Sequence, residues 1–196
     1  MSEFAPFGAP YRPLRDLGTW YGGGTPSKAR PEFWAEGTIP WISPKDMGDP
    51  ILKSSQDRIT EAAVKGSATK LVPSGAVAVV VRSSILDHTF PIALVPFPSA
   101  LNQDMKALAP NEDVLARFVA HSLRSHAATL LLTTRKTGGS VASIEVPKFL
   151  SFRIPVPPLK LQQEIVRILD TFTELEAELE AELEAELEAR RRQYSH

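Results

Sequence analysis

The 196-residue chain contains no cysteine. Disulfides and thiolate metal sites are thereby excluded, and a reducing cytoplasm is the natural setting. No stretch approaches the ~18 consecutive apolar residues of a membrane span. Met1 to Pro10 has neither a basic region nor an apolar run, so secretion is not expected either. Signatures of catalysis are missing too. His88, His121, His126 and His196 are the only histidines, and the five-residue step from His121 to His126 points to different helix faces. There is no His-Glu-x-x-His pair, no aspartate-rich calcium loop and no Gly-x-Ser-x-Gly elbow. A DNA methyltransferase would show a glycine-rich cofactor turn after its first strand and an Asn/Asp-Pro-Pro-aromatic tetrapeptide. Val156-Pro157-Pro158-Leu159 lacks the polar residue that would grip a base. Gly22-Gly23-Gly24 lacks the Gly-x4-Gly-Lys-Ser/Thr frame of a phosphate loop and reads as a tight turn that lets backbone approach something closely. The expectation is a non-enzyme with no metal and no cofactor of its own.

Glycine and proline are absent from one long run, Leu161 to Arg192. Inside it a four-residue unit repeats over residues 173–188, first as Thr-Glu-Leu-Glu and then three times as Ala-Glu-Leu-Glu. Ala, Glu and Leu are strong helix formers, so one helix of roughly 30 residues or more, about 45 to 50 Å long, is close to forced. Leu161, Ile165, Ile168, Phe172, Leu175 and Leu179 follow the alternating 4,3 spacing of a coiled-coil seam. Leu183 and Leu187 continue it at spacings of 4, so the apolar stripe drifts by ~40° per unit and the supercoil locally unwinds. Two glutamate ladders, 174-178-182-186 and 176-180-184-188, place like charges at i,i+4, and each such pair costs a few tenths of a kcal/mol. A second helix over the leucines would offset that cost. Arg190-Arg191-Arg192 meets the negative pole of the helix dipole. A solvated single helix is the plainer alternative.

The net charge of -1 hides an asymmetry. Residues 161–189 carry ten acids and one base, whereas residues 1–160 carry 18 bases against 13 acids. An acidic rod, 157–196, is thus expected on a mildly basic globular body, 1–156.

Within the body, Gly37 to Met47 reads as a short strand running into a polar loop, with Trp41 as a core candidate. Ile59 to Gly66 has a cap, one or two helical turns and a stop glycine. Pro73-Ser74-Gly75 is a turn, and Ala76 to Val81 is a β-branched run expected to be a strand buried on both faces. Pro91 to Val95 is a second strand and Asn102 to Leu108 a polar approach to a third. Asn111-Glu112-Asp113 is expected to cap a helix running from Val114 to about Leu132. Thr133 to Ser140 is a basic exposed loop, and Phe149 to Val156 the last strand. The body is mixed α/β. Its loops carry donors suited to phosphates and base edges: Lys28, Lys45, Arg82, Ser83, Arg135 and Lys136, with Asn102 and Gln103 offering the amide pair that suits adenine.

In that order the motifs resemble the specificity subunit of type I restriction-modification systems. The resemblance rests on Leu17-Gly18, Gly24-Thr25-Pro26, Ile39-Pro40-Trp41-Ile42-Ser43 with Asp46, Val77 to Val81 with Arg82, and Asn102-Gln103-Asp104. Above all it rests on Ile154-Pro155-Val156-Pro157-Pro158-Leu159 with Gln163 and Ile165-Val166-Arg167-Ile168-Leu169. The four-residue repeat resembles the tandem spacers of some members. The resemblance implies a target recognition domain that reads one half of a split DNA sequence and a helix that measures the distance to the other half through an antiparallel coiled coil. It also implies separate methyltransferase (modification) and translocating restriction subunits that hold the S-adenosylmethionine, ATP and Mg sites. Members usually carry two recognition domains and two helices, whereas this sequence carries one of each. A homodimer of half-length chains and a piece of a longer protein both remain open. A scaffolding rod with an incidental body, or a self-contained methyltransferase or nuclease, are the rival readings.

Overall fold

The β-branched run Ala76 to Val80 sits at the centre of the body, every residue of it buried, as its lack of polar alternation predicts. The computed structural model describes residues 8–193. In chain order these form β1 (Tyr11–Pro13), β2 (Gly18–Gly22), β3 (Ile39–Ile42), β4 (Asp57–Ile59), α1 (Glu61–Gly66), β5 (Ala76–Val80), β6 (Ile92–Val95), β7 (Ala100–Leu101) and β8 (Met105–Pro110). Then come α2 (Ala116–Ser125), α3 (Ala127–Thr134), α4 (Val146–Ser151), β9 (Arg153–Pro155) and α5 (Leu159–Gln193), with short 3-10 turns between elements. The main sheet has the order β2-β8-β5-β6 and is antiparallel throughout, and α2 packs on β5 and β6. A second sheet, β4-β3-β7, carries a small core of Phe33, Trp41, Ile59, Ala63 and Ala100, and β1 pairs with β9. The expected mixed α/β body with a long terminal helix is the observed one.

Four local expectations are corrected. Gly18 to Gly22, expected as part of an opening segment and a turn, is a strand paired with β8, and the turn starts only at Gly23. There a Cβ would stand 1.7 Å from the Asn102 carbonyl oxygen, so only glycine fits the close backbone approach. The helix expected from Val114 to Leu132 is two helices that break at His126, and Asn111 to Asp113 do not cap it: Leu115 is the residue before α2, and Asp113 pairs instead with Arg12. The last strand is short. Val146 to Ser151 is helical because Pro147 opens a turn there, leaving only Arg153–Pro155 to pair with β1. The final change concerns the root of α5.

The resemblance singled out Gln163, which is exposed, but Gln162 does the structural work. Its side chain is fully buried. Oε1 accepts from the Leu115 N–H at 2.9 Å, while Nε2 donates to the carbonyls of Asp113 (2.9 Å) and Pro157 (2.8 Å). One amide therefore ties the start of α5 to the start of α2. Ile165 and Val166 add apolar contact with the main core. Two turns further on, Asp170 accepts from Arg117 Nη1 at 2.5 Å and meets His121 Nε2 at 2.9 Å. Burial pushes the Asp170 carboxyl up, but the hydrogen bonds and positive charge of His121 and Arg117 outweigh it and hold the group below its ordinary value. A carboxylate lowered in the folded state contributes stability that is present above its unfolded value and lost as pH falls through the lowered one. Asp170→Asn is thus expected to cost about 1 kcal/mol at neutral pH and to flatten the acid limb of stability, read by urea unfolding across a pH series. An unchanged acid limb would contradict this account of the contact.

Candidate functional site

Seven of the eight donors that the sequence scatters over five loops line two adjoining grooves. Lys28 follows the glycine turn, Lys45 lies in the 3-10 turn Pro44–Asp46, and Arg82 and Ser83 leave the end of β5. Asn102 and Gln103 form the β7–β8 turn, and Arg135 and Lys136 follow α3. Lys28, Lys45, Ser83 and Asn102 line one open groove of about 500 Å3, floored by Trp41 and Ile85. Arg82, Gln103 and Lys136 line a second of about 420 Å3. The neighbours Arg82–Ser83 and Asn102–Gln103 lie one in each groove, so the two adjoin. Arg135 stands to the side, lining a further hollow with Lys136 and Asp87.

Backbone bonds fix this convergence. Ile144 N–H donates to Val81 at 3.0 Å, Ser83 N–H to Ala142 at 2.9 Å and Lys136 N–H to Ser143 at 2.9 Å, which straps the loop after α3 to the end of β5. Trp41 Nε1 donates to the Gly24 carbonyl at 3.0 Å and ties the glycine turn to the second sheet. The side chains divide by how free they are. The Asn102 side-chain oxygen accepts from the Asp104 N–H at 2.6 Å, and Ser83 Oγ accepts from Ile85 N–H at 3.4 Å, so both shape turns. Thr25 donates to Gln103, leaving the Gln103 NH2 group facing outward chemistry. Lys45 pairs with Asp57 at 2.8 Å, Arg135 with Asp87, and Arg82 lies 4.0 Å from Asp104. Among the described residues, Lys28 and Lys136 have no ion pair. The carboxylates Asp57, Asp87 and Asp104 escaped sequence reasoning because nothing local marks an acid as the partner of a base 12 to 48 residues away. His196 and the Arg192 side chain lie outside the described residues.

The second candidate surface is the seam of α5. Leu161, Ile168, Phe172, Leu175, Leu179, Leu183 and Leu187 are all more than 40% exposed, whereas Ile165 is half-buried against the body. The pattern reads almost the same backwards: Leu161 and Leu187, and Ile165 and Leu183, are equally distant from Glu174, while Ile168 and Leu179, and Phe172 and Leu175, are equally distant from the bond between residues 173 and 174. Antiparallel pairing with an identical helix therefore brings apolar side chains close together along the seam, with Phe172 beside Leu175 at its middle. At the root, Tyr11, Phe118, Pro157, Leu161, Ile165 and Leu169 border an apolar hollow of about 610 Å3 continuous with that seam. Among the described residues no helix is long and apolar enough to cross a membrane.

Comparison with known proteins is consistent across sequence and structure. The family described as "Type I restriction modification DNA specificity domain" matches residues 10–189. The Type I restriction enzyme EcoR124I/EcoR124II specificity subunit of Escherichia coli is 51% identical over 186 residues, covering 95% of this chain and 46% of that protein. The EcoprrI specificity subunit of the same species is 39% identical over 195 residues, covering 94% and 47%. The crystal structure of the HsdS subunit from Thermoanaerobacter tengcongensis superposes with a TM-score of 0.68 at 20% identity, covering 89% of this chain and 40% of that one. The chain spans about half the length of the curated relatives it matches.

Proposed function

We propose a function from one premise: the chain belongs to the type I restriction-modification DNA specificity family. It reads one half of a bipartite target in double-stranded DNA through the face built by Lys28, Lys45, Arg82, Ser83, Asn102, Gln103, Arg135 and Lys136. Its α5 seam, Leu161, Ile165, Ile168, Phe172, Leu175, Leu179, Leu183 and Leu187, pairs with a second helix and sets the distance to the other half-site. The convergence of seven of those eight donors from separate loops onto two adjoining grooves carries the reading. Catalysis belongs to a methyltransferase (modification) subunit and a restriction/translocase subunit, which hold S-adenosylmethionine, ATP and Mg, and the assembly works in the cytoplasm.

The nearly reversible seam favours a second copy of this chain as the pairing helix, and so a target that is an interrupted palindrome. Phosphate contacts make affinity fall steeply with salt. Duplex titrations at several salt concentrations are expected to give a steep slope that Lys28→Ala and Lys136→Ala each reduce by about one. A flat salt dependence would favour the scaffolding reading instead. Incubating the pure chain with DNA and S-adenosylmethionine, and separately with magnesium, tests the catalytic rivals, and neither methylation nor cleavage is expected.

The ruler role has its own test. One repeat adds ~6 Å of helix and DNA rises ~3.4 Å per base pair. Inserting one Ala-Glu-Leu-Glu unit is expected to lengthen the preferred spacer by roughly one to two pairs, with the half-site bases unchanged. A changed half-site would sink the ruler.

A further inference from the structure

A carboxylate on a surface that faces a polyanion needs a reason. Phosphates repel it, and it cancels the charge of whatever cation it pairs with. Asp46 has a structural answer. It accepts from Ser43 N–H (2.8 Å), Ser43 Oγ (3.0 Å) and Gln56 N–H (2.8 Å), and so builds its own turn. Asp87 pairs with Arg135 and Asp104 lies 4.0 Å from Arg82, each lining a hollow other than the Trp41-floored groove. Asp57 is the carboxylate that lines the Trp41-floored groove, and among the described residues it meets only the Lys45 ammonium, through Oδ2 at 2.8 Å. Both side chains are nearly half exposed, a setting in which an ion pair contributes little to stability.

The location is rigid nonetheless. Asp57 opens β4 opposite Trp41 in the register of the second sheet, and Trp41 is buried and bonded to Gly24. Asp57 and Lys45 therefore stand on the wall of the Trp41-floored groove as a fixed acceptor beside a fixed donor. Their charges cancel, so the pair is a poor phosphate clamp. Base edges in the major groove are the targets for which paired acceptor and donor groups are informative. A carboxylate accepts from the exocyclic amino group of cytosine or adenine, and an ammonium donates to guanine O6 or N7.

We infer that Asp57 and Lys45 form a base-reading pair, Asp57 taking an exocyclic amino group and Lys45 an adjacent guanine edge, while Lys28 and Lys136 hold phosphates. This division deepens the DNA-reading function proposed above and rests on it. Before binding, Asp57 occupies the Lys45 ammonium and keeps it from phosphates in arbitrary register, so the acid adds selectivity at the expense of raw affinity.

Selection of duplexes from a pool with a randomised half-site tests the division, using the full chain as wild type, Asp57→Asn, Lys45→Gln and Lys28→Ala. Asp57→Asn is expected to relax or change the preference at one position by about tenfold, with the preferences at the other positions and the melting temperature unchanged. Lys45→Gln should alter the neighbouring position. Lys28→Ala should weaken all sequences alike and lower the salt slope. The inference is overturned if Asp57→Asn leaves every position as in wild type, or shifts affinity for all sequences equally. Should Asp57→Asn fail to fold, Lys45→Gln decides by the same criterion. A pool that wild type does not enrich at any position overturns the DNA-reading function itself, an outcome distinct from an enriched pool that Asp57→Asn leaves untouched.

Discussion

Gln162→Leu is expected to lower the unfolding free energy by about 3 kcal/mol, the largest single-residue loss that the body should show. Leucine keeps the volume but cannot reach the Leu115 N–H or the carbonyls of Asp113 and Pro157, all now served by one amide. Each buried group left unpaired costs roughly 1 to 3 kcal/mol. The resulting fall in melting temperature, for a chain of this size, is roughly 6 to 12 °C. Gln162→Glu should be worse near neutral pH, because it places a charge against two carbonyl oxygens. It should partly recover in acid, where a protonated carboxyl can again donate. Thermal melts of the three proteins at two pH values measure both effects, and a Gln162→Leu chain as stable as wild type would refute the tie between α2 and α5. A glutamine carries this load where an ion pair would not, since one neutral amide both donates and accepts without the desolvation cost of a buried charge.

Replacing Leu175 and Leu179 with glutamate is expected to abolish association through α5. Each leucine is a little over half exposed in the single chain. Covering it in a helix pair contributes about half of the ~2 kcal/mol of full burial. A two-fold pair loses four such leucines at once, on the order of 4 kcal/mol, or about a thousandfold in Kd. The added glutamates join ladders that already repel themselves. Light scattering should give twice the chain mass for wild type and one chain mass for the double variant. Equal masses in both would mean that the seam awaits a different helix. A truncation meant to separate body from rod should fall after Asp170, because a chain cut at Pro157-Pro158 would lose Gln162 and leave the body's own bonds open.

What the sequence made legible follows from the range of the forces involved. The rod is a local matter of propensity over a run without glycine or proline, and it was read almost to its ends. Thr60 caps α1 by accepting from the Ala63 N–H, again within four residues. The central strand announced itself by β-branched continuity. By contrast, β2 is settled by β8, nearly ninety residues later, which offers it a partner; its Thr-Trp-Tyr centre favours a strand, but the glycines on either side read as a turn. The break at His126 has no glycine or proline to mark it; the residue sits at φ -101 and ψ 6, its ring nitrogen bonded to the Ser122 carbonyl at 2.8 Å. The site shows the same division. Types of residue identified the donors, but which oxygen each donor already held, and that Gln162 and not Gln163 turned inward, depended on the fold.

The glutamate ladders have one more consequence, for the DNA between the half-sites. Seven exposed acids of the ladders, from Glu174 to Glu186, make α5 a negatively charged bar, and in the proposed function it would run alongside a negatively charged duplex. At physiological salt such repulsion acts over ~8 Å, enough to keep the two apart wherever the basic bodies do not pull them together. The duplex would then be gripped at its two ends and stand off in the middle. An unread spacer of any sequence is the electrostatic result, and chemical probes should find its central backbone open while the flanks are protected.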